Sequence, residues 1–285
     1  MTPQQLLLDW LRPYLGEDAL AWLSEKAAQI AAGAPDKILF TAFSAALRHA
    51  GKLPLAPAGD RLPAAEAAAP GWRPDRWTRD QAARTYLLLA LPAVPASGLK
   101  VDQLYQTADV GEAVALQQSL PLLPLPETHM GRAREGVRSN IKPVFEAVAL
   151  RNPYPARHFD ETGWNQMVVK CLFTDSPMEE IEGLEARANP ALSRILVDLV
   201  KERWAAGRVF DPQLWRCVGP HADEAGLDAL EKAYRGTSPE GRRAAALALS
   251  ACPNPRAARI LAADPALAGA ARARSFTWEN LHHGD

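Results

Sequence analysis

The chain has 285 residues, 48% of them hydrophobic and 23% charged, with a formal net charge of −1 at pH 7. That length supports one large core or two smaller ones without staples, and the near-neutral charge gives no global bias toward nucleic acid or an anionic membrane. The three cysteines, Cys171, Cys217 and Cys252, are widely spaced and form no C-x-x-C, which suggests neither a disulfide framework nor a zinc site and points to a reducing, cytoplasmic compartment.

At the N-terminus, MTPQQLLLDWLRPYLG lacks a positive leading region, and Asp9, Arg12 and Pro13 break its apolar run. It is not expected to be a secretory signal, and no segment approaches the ~18 apolar residues of a membrane span. Thr2-Pro3 introduces a grammar that recurs at Ser176-Pro177, Asn189-Pro190, Asp211-Pro212, Ser238-Pro239, Asn254-Pro255 and Asp264-Pro265. Proline at the first helical position forfeits no hydrogen bond, and the preceding side-chain oxygen accepts from the next free backbone donors. Many of the 24 prolines therefore read as helix starts.

Residues 1–50 read as two or three helices, and 51–76, GKLPLAPAGDRLPAAEAAAPGWRPDR, as an exposed loop or linker rich in Pro, Ala and Gly. Residues 77–285 form the main helical domain, beginning with a helix near 79–91. Thr78-Arg79-Asp80-Gln81 fits a reciprocal capping box, as does Ser176-Pro177-Met178-Glu179. There is no sustained apolar/polar alternation and no Asn-Gly or Asp-Gly turn, so the predicted fold is all-α without significant sheet. The short, Ala-rich helices restarting after Ser238 predict stacked helix pairs, an irregular α-α superhelix of the HEAT or armadillo kind.

The stretch HFDETGWNQMVVKCLF, residues 158–173, concentrates polar side chains, but most of it is helix grammar. Asp160 suits an N-cap, Glu161 favours the positive end of the helix dipole, and Phe159 with Trp164 suits a hydrophobic staple. Trp164, Met167, Val168, Cys171 and Leu172 follow helical spacing, which makes Cys171 a small core residue rather than a nucleophile. His158 has no second ligand at metal spacing. Asn165 falls on the flank of the apolar face, where its amide needs partners. Lys170 pairs with Gln166 at i+4 on the more solvated side.

After the Asn189 cap, Leu192, Ile195, Leu196, Leu199 and Val200 form an apolar stripe into which Arg203 projects. A guanidinium in a core needs an acid, and Glu202 cannot face its own neighbour, so Glu182 and Glu185 are the expected partners. The expectation is a buried Arg203 pair forming the wall of a pocket that also holds Asn165 and Arg208.

Several of these segments resemble a known family. NPYPARHF (152–159), WNQMVVKCLF (164–173), IEGLEARANPAL (181–192), ERWAAGR (202–208) and LWRCVGP (214–220) are similar to signature segments of the EboA family. So are ADVGEAVALQQSLPLLP (108–124) and VRSNIKPVFEAVALRNPYP (137–155), and the similarity extends over roughly residues 77–260. The resemblance implies a bacterial protein encoded beside a prenyltransferase, a sugar-phosphate-cyclase-like enzyme and hydrolases, in a gene set that moves natural-product intermediates out of the cytoplasm. It carries over no catalytic residue. The positions that match the segments are Asn152, Asn165, Gln166, Lys170, Arg187, Asn189, Glu202, Arg203 and Arg208, while Cys171 and Cys217 stand where the family prefers other small or polar residues.

No G-x-S-x-G, H-E-x-x-H, G-x-x-x-x-G-K-[ST] or G-x-G-x-x-G occurs, and no aspartate-rich pair suits Mg²⁺-diphosphate chemistry. The expected function is a non-enzymatic helical binding or adaptor protein in the trafficking of a prenylated or other secondary-metabolite intermediate. The alternative is an enzyme of the same pathway acting on a polar or anionic intermediate. No catalytic residue, metal site or cofactor is expected. The candidate ligand-binding residues are Asn165, Lys170, Arg187, Asn189, Glu202, Arg203 and Arg208. The expected partners are a small metabolite or pathway proteins from the same gene set. Residues 235–274 carry seven Arg against Glu240 and Asp264, a run open to an acidic partner or peripheral membrane contact. It lacks the interleaved aromatics of a nucleic-acid surface.

Overall fold

A computed structural model describes residues 1–55 and 62–281. Among these residues there are 17 α-helices and no strand, so the chain is all-α. The nearest approach to a sheet is a single antiparallel bridge between Pro54 and Thr78. The chain divides into two compact units, Met1–Asp160 and Glu161–Asp285. Among the described residues no helix is long and apolar enough to cross a membrane.

The first unit comprises α1 (Pro3–Leu11), α2 (Glu17–Ala31), α3 (Asp36–Ala50), α4 (Leu62–Ala68), α5 (Arg79–Leu88), α6 (Pro95–Thr107), α7 (Val110–Ser119), α8 (Met130–Arg138), α9 (Lys142–Ala149) and α10 (Tyr154–His158). α5 lies at its centre and packs against α1, α2, α3 and α7. That surround buries Asp80 and Arg84 as well as its apolar residues. The pair survives because it is fully partnered. Arg84 donates to Asp80 and, at 3.2 Å, to the Phe43 carbonyl, while the Thr78 hydroxyl donates to Asp80 at 2.6 Å. The Thr78–Gln81 capping box is present, with Gln81 Oε1 accepting from the Thr78 N–H at 2.8 Å.

The stretch 51–76 departs from the expected exposed loop. Residues 56–61 lie outside the described residues, but the rest is built into the first unit. Leu55, Ala65 and Trp72 are buried, Leu55 donates to the Trp77 carbonyl at 2.8 Å, and the Trp72 ring lies 5.3 Å from Trp10 and 5.9 Å from Trp77. The Pro- and Ala-rich composition concealed a few large apolar side chains, and burying one indole outweighs the loop propensity of its neighbours. The described part of this stretch belongs to the unit Met1–Asp160.

The second unit comprises α11 (Glu161–Phe173), α12 (Pro190–Ala205), α13 (Trp215–Val218), α14 (Glu224–Tyr234), α15 (Pro239–Ala251), α16 (Pro255–Leu261) and α17 (Pro265–Arg272). The cap-proline grammar is realised at Asn189, Ser238, Asn254 and Asp264, each of which accepts from a backbone N–H of its helix; Thr2 does the same for α1, and Asp211 for a 3₁₀ turn at Pro212–Leu214. Ser176 is the exception. Its hydroxyl pairs with that of Thr174 at 2.9 Å, and a 3₁₀ turn, Met178–Glu180, starts after Pro177 instead. Asp175, at φ 48°, bends the chain out of α11 just before it, so Ser176 does not enter a helix.

α13, α14, α16 and α17 all pack against α15, whose buried face is Ala244, Ala245, Ala246, Ala248 and Leu249. Small side chains let the backbones come close, and Gly219 takes advantage of this. A Cβ added there would collide with the Ala248 carbonyl oxygen and Cα. Gly219→Ala is therefore expected to cost about 1–3 kcal/mol in urea unfolding. Gly269→Ala, on α17 with no atom within 4 Å of the added carbon, should be neutral or stabilising by up to ~1 kcal/mol. Equal effects at the two glycines would disprove the close approach.

Candidate functional site

The site grows from the way α11 and α12 are joined. Trp164, Met167, Val168, Cys171 and Leu172 are buried, as their spacing predicts. Asn165 is 5% exposed, and its amide finds the partner it needs in Asn189. Asn165 Nδ2 donates to Asn189 Oδ1 at 3.2 Å, and Asn189 Nδ2 donates back to Asn165 Oδ1 at 2.9 Å. Asn189 Oδ1 also accepts from the Leu192 N–H at 2.9 Å, which makes the same residue the cap of α12. At the other end, the Arg203 guanidinium lies 5.7 Å from the centre of the Phe173 ring. Both starts are together and both ends are together, so these consecutive helices run in the same direction.

Arg203 differs from its expectation. It is half-buried, and among the described residues no carboxylate lies within ion-pair distance of it. Glu185, one expected partner, pairs instead with Arg216 at 3.0 Å. Ile195 is also outside the buried face, at 44% exposure, while Val197 is inside it at 2%. The apolar stripe is continuous through Leu199 and Val200, but Arg203 sits in the last turn, where α11 has ended at the exposed Phe173. The guanidinium lies on an aromatic face there and needs no acid.

α12 is closed by Gly207 at φ 64°. The Gly207 N–H donates to Trp204 at 3.1 Å and the Arg208 N–H reaches back to the Arg203 carbonyl at 2.8 Å. This left-handed closure reverses the chain, and glycine adopts it without a Cβ clash. Beyond the turn, Phe210 folds under Trp204 with ring centres 5.8 Å apart, and Trp215 completes a triangle at 6.3 Å from Trp204 and 6.0 Å from Phe210.

Two cavities adjoin at this turn. One, of about 490 Å³, is lined by Arg203 with Leu172, Leu199 and Phe210 and by four carboxylates, Asp175, Glu179, Asp211 and Glu240. The other, of about 610 Å³, has the aromatic triangle as a wall and Arg208, Lys232 and Glu240 as its charged side chains. Val209, Phe210, Pro212 and Glu240 line both. Val209 is 89% exposed, an apolar side chain held at the shared edge. Lys232 Nζ lies 4.3 Å above the Trp204 ring.

The sequence-derived candidates do not all converge. Asn165, Asn189 and Arg187, whose guanidinium covers the Trp164 ring at 4.9 Å, belong to the start of the helix pair. Asn165 lines neither cavity, and eight residues of α11, about 12 Å, separate it from Phe173. Lys170 is half-buried, and burial lowers its pKa. Glu202 is exposed. Only Arg203 and Arg208 line the cavities. Trp204, Phe210, Trp215, Lys232 and Glu240 escaped the sequence reading, although three aromatics between positions 204 and 215, inside or beside matching segments, were a usable signal.

The remaining reactive side chains are quiet. Cys171 and Cys217 are fully buried, and burial pushes the Cys217 thiol up to about 12. His158 stacks at a tilt on Tyr154, 4.6 Å away, and burial lowers its pKa. No group of His, Cys, Asp and Glu suited to a metal ion occurs among the described residues. Three of the seven arginines in the basic run 235–274 are held in ion pairs. Arg256 binds Glu224, Asp228 and Glu231 at 2.8, 2.5 and 3.2 Å, Arg235 binds Glu231 at 2.8 Å, and Arg242 binds Asp264 at 2.5 Å.

Two outcomes follow from this geometry. Asn165→Ala should cost about 1–3 kcal/mol in chemical denaturation, since it removes both amide–amide bonds and leaves Asn189 only the Arg187 carbonyl and the Leu192 N–H, and the Asn165→Ala/Asn189→Ala double variant should cost less than the sum of the singles. Additive losses would show that the two amides do not act together. For the thiols, an aromatic disulfide reagent at pH 8 should label Cys252 in the native protein and reach Cys171 and Cys217 only on unfolding.

A family model described as Metabolite traffic protein EboA matches residues 3–219. No curated protein and no solved structure matches the chain. The matched range takes in Arg203, Trp204, Arg208, Phe210 and Trp215 and ends before Lys232 and Glu240.

Proposed function

This chain belongs to the EboA family of metabolite traffic proteins, and on that premise we propose that it binds a secondary-metabolite intermediate without transforming it, as a cytoplasmic carrier or adaptor in the export of that intermediate. The observation that carries this reading is the pair of adjoining cavities at the end of α12, whose volumes of about 490 and 610 Å³ are those of small-molecule sites, typically ~300–1,000 Å³. An aromatic wall, an exposed valine at the shared edge and charged side chains at the rim hold an amphipathic molecule. Among the described residues no histidine lines either cavity, so the buried Cys171 that borders the Arg203 cavity has no imidazole there to activate it, which supports holding over nucleophilic work.

Of the candidate ligand residues, Arg203 and Arg208 are proposed to contact the metabolite directly. Asn165, Asn189 and Arg187 are proposed to act through the helix pair that positions them. Lys170 on α11 and Glu202 on α12 complete the proposed set.

Native mass spectrometry of the protein purified from its own host tests the proposal. A retained small molecule is expected, and its occupancy should fall in Arg203→Leu while the melting temperature stays nearly unchanged, because no buried ion pair is broken. A protein partner co-purifying in place of any small molecule would move the reading to an adaptor. Turnover of a pathway intermediate by the pure protein would move it to an enzyme.

A further inference from the structure

The charges around the two cavities differ in sign, and that difference selects a ligand. The aromatic cavity presents Lys232 and Arg208 against Glu240, whereas its neighbour presents Arg203 against Asp175, Glu179, Asp211 and Glu240. Among the described residues neither Lys232 nor Arg208 has a carboxylate within ion-pair distance. Lys232 lies on the Trp204 face, a contact that stabilises a cation without neutralising it, so its field remains available to a third group. The first residues of α15 also border this cavity, with Ser238 as the cap, and the positive end of that helix adds to the same sign.

We infer that the site takes an acidic amphiphile: an aromatic or conjugated apolar body seated against Trp204, Phe210 and Trp215, carrying one carboxylate or phosphate held by Lys232 and Arg208. The acid group faces away from Arg203, because four carboxylates share the Arg203 cavity and like charges repel an anion there. This inference rests on the reading that the second unit binds a metabolite at this place. It adds the ligand class, the orientation and the role of Lys232, a residue beyond the matched range 3–219.

Two fluorescent probes that share a ring system separate the contributions: 8-anilino-1-naphthalenesulfonate, which is acidic, and N-phenyl-1-naphthylamine, which is neutral. The intact protein should bind the acidic probe at one equivalent, about tenfold tighter than the neutral one, as a charge-assisted contact supplies. Arg208→Gln/Lys232→Gln should remove that advantage and leave the neutral probe unchanged, Arg203→Gln should weaken both probes alike and keep the acidic preference, and Trp204→Leu should weaken both. Competition by 1-naphthoic acid and by 1-naphthyl phosphate identifies which head group is preferred. Thermal melts of each variant establish that it is folded, and Lys232→Arg, which keeps the charge, should bind the acidic probe. If both probes bind with equal affinity, or if Arg203→Gln rather than the double variant abolishes the preference, the acidic class or its orientation is wrong while metabolite binding stands. If neither probe binds and no molecule is retained from the host, the inference and the reading beneath it both fall.

Discussion

Two asparagine side chains, Asn165 and Asn189, set the geometry on which the second unit depends. Each amide satisfies the other, and Asn189 uses its remaining oxygen capacity to cap α12. A chain that has just completed one helix most simply turns and runs back along it; here the segment between them returns to the starting end first. The amide pair rewards that detour, because an unpaired amide at this depth would cost about 1–3 kcal/mol. With both starts locked together, both ends must open on the same side, and the cavities lie there. The residues nearest the site in sequence-level reasoning are thus those that build it from a distance.

Most of the fold was legible because helix starts are written in local chemistry. Thr2, Asn189, Ser238, Asn254 and Asp264 each precede a proline and each caps a helix, an interaction that needs no knowledge of the rest of the chain. Ser176-Pro177 has the same letters and fails, because the left-handed backbone at Asp175 had already turned the chain. Composition misled at 51–76, where Leu55 and Trp72 find partners far away in sequence. Local signals report local energies, and those two side chains answer to tertiary ones.

The candidate site was half legible for a related reason. Helical phase set Arg203 in line with Leu196 and Leu199 on α12, but phase carries no information about where the neighbouring helix stops. Since α11 ends at Phe173, the inward side in the last turn is an aromatic ledge with open space beyond it. Lys232 and Glu240 arrive from α14 and α15, and no pattern near residue 203 announces them. A site assembled from the ends of several helices leaves its mark in sequence as scattered aromatics and turns, and Trp204, Gly207, Phe210 and Trp215 are that mark.

The thin core around α15 has a consequence for how this protein can change over time. Ala244, Ala245, Ala246 and Ala248 are all but inaccessible, and Gly219 leans on the backbone beside the last of them. In a core of leucines, a substitution can often be absorbed by repacking a neighbour, because large side chains have rotamers to exchange. Alanine and glycine have none to give, so each added methylene must move a helix axis. The plainest residues of the unit are accordingly the ones with the least freedom to drift, while the bulky, exposed Val209 and Phe173 can vary at little cost to folding. Inherited variation is thereby steered toward the rim of the cavities, where a changed side chain reshapes the proposed site before it alters what is folded.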